Sequence, residues 1–136
     1  MATLLDTDVA IELRDDDTWV KERARHLTAP LFISAITRIE LENGIHREQH
    51  GAAQRRVRLD RMLVTIATLD FGATEIREYR RVLEATGYSR RKTADRMTAA
   101  TALVHGLTLV TLNGRDYRDV PELDLVAWER PEATNT

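Results

Sequence analysis

The chain has no cysteine, which excludes a disulfide framework and a thiolate metal centre and leaves oxygen or imidazole to hold any ion. Long apolar runs are missing too. No stretch approaches the roughly 20 residues that a membrane-crossing helix needs, so no membrane role is expected. There is no excess of one charge either: 20 Lys and Arg against 22 Asp and Glu leave a formal net charge of -2, with a pI near 6.1. A bulk polycation that coats nucleic acid is thereby excluded, and any such binding must be local. Neither an internal repeat nor a low-complexity linker interrupts the 136 residues, a length that suits one domain with a proper core rather than two. The opening Met1-Ala2-Thr3-Leu4-Leu5-Asp6 has no basic residue ahead of its apolar ones and meets an acid at once. It reads as a strand and not a signal peptide, and the cytoplasm is the expected location.

What is present is globular: 43% apolar and 31% charged residues. Apolar runs at Ala2 to Leu5, Leu31 to Ile33, Thr65 to Leu69, Leu107 to Thr111 and Leu123 to Val126 predict strands. Helical spacing predicts helices between them. Val9 to Leu13 form a short one, Trp19 to Leu27 a second that starts at Asp15-Asp16-Asp17, and Ser34 caps a third that Gly44 weakens and Gly51 ends. Others cover Ala52 to Val64, Ala73 to Ala85 with Ile76, Tyr79, Val82 and Leu83 as the apolar face, and Thr93 to Gly106. Residues 1–130 are read as one domain and 131–136 as a flexible tail. Such alternation argues for an α/β fold, a central, mainly parallel sheet between helices, whose sites form beyond the carboxyl ends of the strands.

Four acids stand beyond an apolar run or on the apolar side of a helix: Asp6, Glu40, Asp95 and Asp116. Burying one unpaired carboxylate costs several kcal/mol in order of magnitude, and neighbouring ones repel, so protons or a divalent cation must neutralise a buried set. A magnesium-type site is the simplest explanation. Glu40 has Ile36 one turn back and Ile39 beside it, so its face is not a plainly solvated one. Asp95 shares a face with Thr98, Ala99 and Ala102, residues small enough to pack on a sheet. Taken singly each acid has an ordinary explanation: Asp6 as a helix cap, Glu40 as a boundary residue, Asp95 as a first-turn acid, Asp116 as a turn former after Asn113-Gly114.

Taken together, Leu4-Leu5-Asp6-Thr7-Asp8, Ser34 to Leu41 with Gly44, Asp95 to Ala102, Thr111 to Tyr117 and the ending Val120-Pro121-Glu122-Leu123 resemble the PIN-domain nucleases, and among them the VapC-like toxins of bacterial type II toxin-antitoxin pairs. The resemblance covers nearly the whole chain. It implies a PIN-like three-layer fold and an endoribonuclease dependent on Mg2+ or Mn2+, with Asp6, Glu40, Asp95 and Asp116 matching the acidic quartet. Asp6 and Asp95 would be direct metal ligands; Glu40 and Asp116 would act through water, hold a second metal or position the attacking water. Thr111 and Asn113 would orient the carboxylates. A cognate antitoxin, a homodimer and a larger toxin-antitoxin assembly are the implied protein partners. Two positions depart from the pattern: Asp8 adds a charge where relatives often carry a neutral residue, read here first as a helix cap, and Thr101 stands where histidine is frequent.

RNA phosphates need positive charge near the acids, and Arg90, Arg91, Lys92 and Arg96 are the candidates. The other basic cluster, Arg55-Arg56-Val57-Arg58 with Arg61, reads as the wet face of a helix. His26, His46, His50 and His105 form no ligand-like grouping, and Tyr88 and Tyr117 read as packing at the rim of the site. Two competing functions stay open. Asp6-Thr7-Asp8-Val9 also fits a haloacid-dehalogenase-type phosphatase with Asp6 as nucleophile, although the chain is short for it, Glu40 has no task there and Lys92 is its one late lysine. The other is a non-catalytic binding module whose acids are structural.

Overall fold

Leu4 and Leu5 are wholly buried because their strand is the centre of the sheet. In the computed structural model, which describes residues 2–131, β1 (Thr3–Leu5) lies between β2 (Leu31–Ser34) and β4 (Thr108–Thr111), with Leu5 level with Ile33 on one side and Val110 on the other. β3 (Ala67–Leu69) and β5 (Leu125–Ala127) complete the order β3-β2-β1-β4-β5, with every neighbouring pair parallel. Six helices flank it: α1 (Thr7–Arg14), α2 (Thr18–Ala24), α3 (Ala35–Arg47), α4 (Ala52–Thr65), α5 (Ala73–Thr86) and α6 (Thr93–His105). This is the α/β architecture expected from the sequence, a parallel sheet between helices. Residues 132–136 of the expected tail lie outside the described residues.

The pleat of the strands sorts the apolar side chains into two cores, because successive residues point to opposite faces. Leu5, Ile33 and Val110 join Val9, Val20, Leu41, Leu59 and Met62 from α1 to α4. Leu4 and Leu109 join Val82 of α5, Ala99 and Ala102 of α6, and Tyr117 and Val120 from the loop after β4. Each fully buried leucine or valine is worth about 1.5–3 kcal/mol relative to exposure, so the central strand is pinned from both sides. The chain builds β1, β2 and β3 in one direction and then crosses to β4. The crevice beyond the carboxyl ends of β1 and β4 is therefore the switch point where ligands of such sheets bind.

Several elements differ from the sequence reading. Gly51 does not end α3; it stands at φ 77° and opens α4, while α3 stops at Arg47. Thr65 belongs to α4, so β3 starts only at Ala67, and β5 begins at Leu125 rather than Leu123. The basic cluster is not simply wet: Arg55 donates to the carbonyls of Ile45, Glu48 and His50 at the end of α3, and Arg56 pairs with Glu42. In α5 the buried face holds Glu75 and Val82, whereas Ile76 is 54% exposed. Glu75 is retained inside because Oε1 accepts the Gly72 N–H at 2.7 Å.

After β4 the chain turns through a 3-10 turn at Gly114–Asp116, where an ideal Cβ on Gly114 would stand 2.6 Å from the Ala127 Cβ of β5. Only glycine allows that approach. Gly114→Ala is expected to cost about 1–3 kcal/mol by urea denaturation, and Ala127→Gly in the same chain to recover part of it. An equal loss in the single and double variants would show that this contact is not the cause.

Candidate active site

Asp6 follows β1 directly and ends the sheet while starting a helix. Its backbone N–H donates to the Val110 carbonyl at 2.9 Å, and its carboxylate caps α1 by accepting the Thr7 N–H at 2.8 Å. The pleat aims it at the same face as Leu4, toward α6 and Tyr117. Thr111 shares that face with Leu109, and its hydroxyl donates to Asp6 Oδ2 at 2.7 Å. The Tyr117 hydroxyl, on a side chain 1% exposed, lies 2.9 Å from Asp6 Oδ1 and 3.3 Å from Asp95 Oδ1. Asp95 comes from the first turn of α6, whose Thr98, Ala99 and Ala102 are buried as their small size predicted.

Asp116 is presented by the 3-10 turn and accepts from Asn113 Nδ2 at 2.7 Å. Glu40, on α3, is exposed, and its neighbour Ile39 is 58% exposed, so the apolar-face argument for Glu40 does not hold. A different device ties it to the others. Ser34, Thr37 and Thr7 form a chain of hydroxyls with contacts of 3.3 and 2.9 Å, and Thr7 donates to Glu40 Oε1 at 2.7 Å. The four acids lie along one edge: Asp6 and Asp95 both contact the Tyr117 hydroxyl, Asp95 and Asp116 line one cleft, and Glu40 is bonded to Thr7, whose N–H donates to Asp6.

Asp6 is the N-cap residue of α1, and Asp8 adds to the capping from within the first turn, where its Oδ1 accepts the Val9 N–H at 2.7 Å. Its Oδ2 accepts the Leu112 N–H at 3.1 Å and lies 3.2 Å from the Thr111 hydroxyl, so it braces the chain leaving β4. Arg96 is a further correction. The side chain is 2% exposed and its guanidinium forks onto both Asp119 oxygens at 2.7 Å, with a third contact of 3.4 Å to the Asp116 carbonyl. It anchors the segment that carries Asp116 and has no face for phosphate. An open cleft of about 410 Å³ is lined instead by Arg91, Lys92 and Arg115 together with Asp95, Asn113 and Asp116. Arg90 is exposed on the neighbouring 3-10 turn, Arg90–Lys92, but does not line it. Sequence reasoning missed Thr7 and Arg115 and read Tyr117 as packing at the rim, whereas its ring is in the core and its hydroxyl reaches the acids; for Arg115 its place between Gly114 and Asp116 was the available signal.

Charge in the site is large and uncompensated. Among the described residues, none of Asp6, Asp8, Glu40, Asp95 or Asp116 takes part in an ion pair. Burial pushes Asp6 up from the usual carboxylate range against the pull of its hydrogen bonds. Burial and then the Asp6 charge push Asp8 to about 6. Asp95 also reaches about 6, through burial and the charges of Asp6, Asp116 and Glu40. Tyr117, raised by burial and by Asp6 and Asp95, stays a proton donor.

Among the described residues no three His, Asp or Glu side chains stand close enough to form a ready-made cage, since a hydroxyl separates Asp6 from Asp95. The donor set nevertheless fits a hard divalent cation: it is all oxygen, anionic and not tied up in ion pairs. The fit lies in charge and chemistry rather than in closed geometry. The four histidines are exposed and outside it. A larger cavity of about 740 Å³, floored by Pro30, Leu31, Met62 and Ile66, sits at the amino ends of the strands and contains none of these acids.

A family model described as PIN domain matches residues 3–123. The chain is 29% identical over 133 residues to the ribonuclease VapC1 of Rickettsia felis, covering 93% of this chain and 96% of the relative. The VapBC2 structure from Rickettsia felis, bound to a promoter DNA fragment, aligns with a TM-score of 0.82 and 24% identity over 95% of this chain and 100% of that one. A toxin-antitoxin complex from Klebsiella pneumoniae aligns with a TM-score of 0.75 and 22% identity, with the same coverage of 95% and 100%.

The raised carboxylates have a consequence for stability. A group whose pKa is higher folded than unfolded holds extra protons in the folded state, so its contribution is complete below the unfolded value and is lost as pH rises through the folded one. For Asp95 that window runs from 3.8 to about 6. In chelator-containing buffer, Asp95→Asn is expected to match the wild type near the bottom of this window and to exceed it increasingly toward neutral pH, measured by urea unfolding. A gap that stays constant with pH would show that Asp95 does not carry the effect.

Proposed function

Because this chain belongs to the PIN-domain family, we propose that it is a metal-dependent endoribonuclease, a toxin that cleaves RNA phosphodiester bonds and is held inactive by a cognate antitoxin. The observation that carries this reading is the convergence of Asp6, Asp95, Asp116 and Glu40, unpaired, beside the cationic lining of Arg91, Lys92 and Arg115. The relatives support it: a ribonuclease VapC1, a VapBC2 structure and a toxin-antitoxin complex. The reading takes residues 1–130 as one PIN-like unit, works in the cytoplasm and includes a homodimer. Among the described residues no helix is long and apolar enough to cross a membrane.

When bound, Mg2+ or Mn2+ would activate a water and stabilise the negative charge that develops on the phosphate and leaving oxygen. Asp6 and Asp95 would hold the ion directly, being the two acids of the quartet that share a hydroxyl. Asp116 and Glu40 would act at longer range, through water, on a second ion or on the attacking water. Thr111 and Asn113 keep Asp6 and Asp116 from rotating. Arg91, Lys92 and Arg115, with Arg90 beside them, would take the RNA backbone, whose binding depends on counterion release. No side-chain nucleophile is required. The phosphatase alternative is disfavoured because it gives no task to Glu40, which Thr7 ties to the amino end of α1 beside Asp6. A structural binding module gives no reason for gathering unpaired acids.

Mn2+ or Mg2+ is expected to raise the melting temperature of the wild type. Asp95→Asn should reduce RNA cleavage by more than about a hundredfold without lowering metal-free stability. Sequencing the RNA ends produced on expression of wild type and of Asp6→Asn identifies the target. A wild type that cleaves no RNA with either ion, or an Asp95→Asn variant that is unstable yet active, would defeat the proposal. Arg91→Ala with Arg115→Ala should weaken RNA binding and make the log-log salt slope shallower by about 0.7 for each phosphate that is no longer neutralised. An unchanged slope would remove these residues from the RNA path.

A further inference from the structure

Tyr117 presents a polar group where packing needs none. Its ring lies in the apolar cluster of Leu4, Val82, Ala99, Leu109 and Val120, a place that a phenylalanine ring would fill as well. A hydroxyl buried there is unfavourable unless it is hydrogen-bonded, and its two partners are carboxylates from different elements: Asp6 at the end of β1 and Asp95 on α6, at 2.9 and 3.3 Å. Having one proton, it donates to one carboxylate at a time, and the shorter contact assigns that proton to Asp6. The backbone of Tyr117 is fixed as well, because its N–H donates to the Gly114 carbonyl at 3.0 Å and its own carbonyl accepts from Val120 at 3.0 Å. Ring and backbone together leave the hydroxyl little freedom.

We propose that the Tyr117 hydroxyl is a positioning group that sets the spacing and orientation of Asp6 relative to Asp95 and thereby strengthens divalent-cation binding at this edge. The inference rests on the metal-dependent reading of the same acids and deepens it. Thr111 restrains Oδ2 of Asp6, and the Thr7 N–H and Tyr117 hydroxyl together restrain Oδ1, with Tyr117 the donor on the side of α6 that keeps the carboxylate from swinging toward that helix. Groups that orient metal ligands from behind typically change metal affinity 10- to 100-fold when removed. Tyr117 holds Asp6 in this way, while its buried ring keeps the hydroxyl oxygen 3.3 Å from Asp95 Oδ1.

The test is Tyr117→Phe in the full chain, titrated calorimetrically with Mn2+ and assayed for RNA cleavage across Mn2+ concentrations. The Mn2+ dissociation constant and the half-saturating Mn2+ are both expected to rise by about 10- to 100-fold, while the rate at saturating Mn2+ stays within about threefold of wild type. Val120→Ala, which loosens packing in the same cluster, should lower stability and leave the dissociation constant unchanged. Equal Mn2+ affinity in wild type and Tyr117→Phe would overturn the inference alone, as would an equal loss of affinity in Val120→Ala or a lower saturated rate with unchanged affinity. A wild type that binds no Mn2+ would overturn the metal-dependent reading and this inference with it.

Discussion

Several carboxylates share the end of one parallel sheet and, among the described residues, none of them is held in an ion pair, and the rest of the structure is arranged around keeping that charge in place. Hydroxyls and amides do the holding. Thr111 and Tyr117 restrain Asp6, Asn113 restrains Asp116, Thr7 restrains Glu40, and the Leu112 N–H restrains Asp8. Neutral donors satisfy oxygen lone pairs but leave the negative charge uncancelled, so the edge keeps its demand for protons or a cation. Raised Asp6, Asp8 and Asp95 express that demand. The one buried arginine nearby, Arg96, is committed to Asp119 and does not relieve it.

The fold supplies this arrangement through ordinary sheet geometry. Parallel strands end at the same edge, so Asp6 after β1 and the turn after β4 become neighbours although more than a hundred positions separate them. Alternation along the strand selects the face: Asp6 and Thr111 follow Leu4 and Leu109 toward α6, whereas Leu5 and Val110 face the opposite core. Asp95 enters from the first turn of α6, and the Arg96 clamp draws the Asp116 segment against that helix. Apolar packing and site geometry are thus coupled. Tyr117 makes the coupling concrete, with its ring in the core and its oxygen between two acids.

Much of this was legible before any coordinates. The apolar runs identified five strands, Ser34 did cap α3, and the strand order does bring Asp6 to the end of the sheet beside the turn after β4. Failures share a cause. Ile76 lies on the periodic face of α5 yet faces outward, because periodicity defines a stripe but not the direction in which the neighbouring helix lies. Glu40 reached the site by a hydroxyl chain and not by an apolar face, and Arg96 had the right charge but the wrong partner. Both depend on contacts between residues far apart in sequence, Thr7 with Glu40 and Arg96 with Asp119, for which local pattern carries no signal.

The sequence by itself determined which chemistry was available: oxygen ligands without thiols, acids in a recognisable order, and strands alternating with helices, which follow from composition and local spacing. Tertiary structure alone decided which of those groups meet. It exposed Glu40, buried Arg96, turned Asp8 into a brace and placed the Tyr117 hydroxyl between Asp6 and Asp95. The physical reason is that a hydrogen bond or an ion pair is a distance between atoms, and only the packed core sets distances between residues that the chain keeps apart.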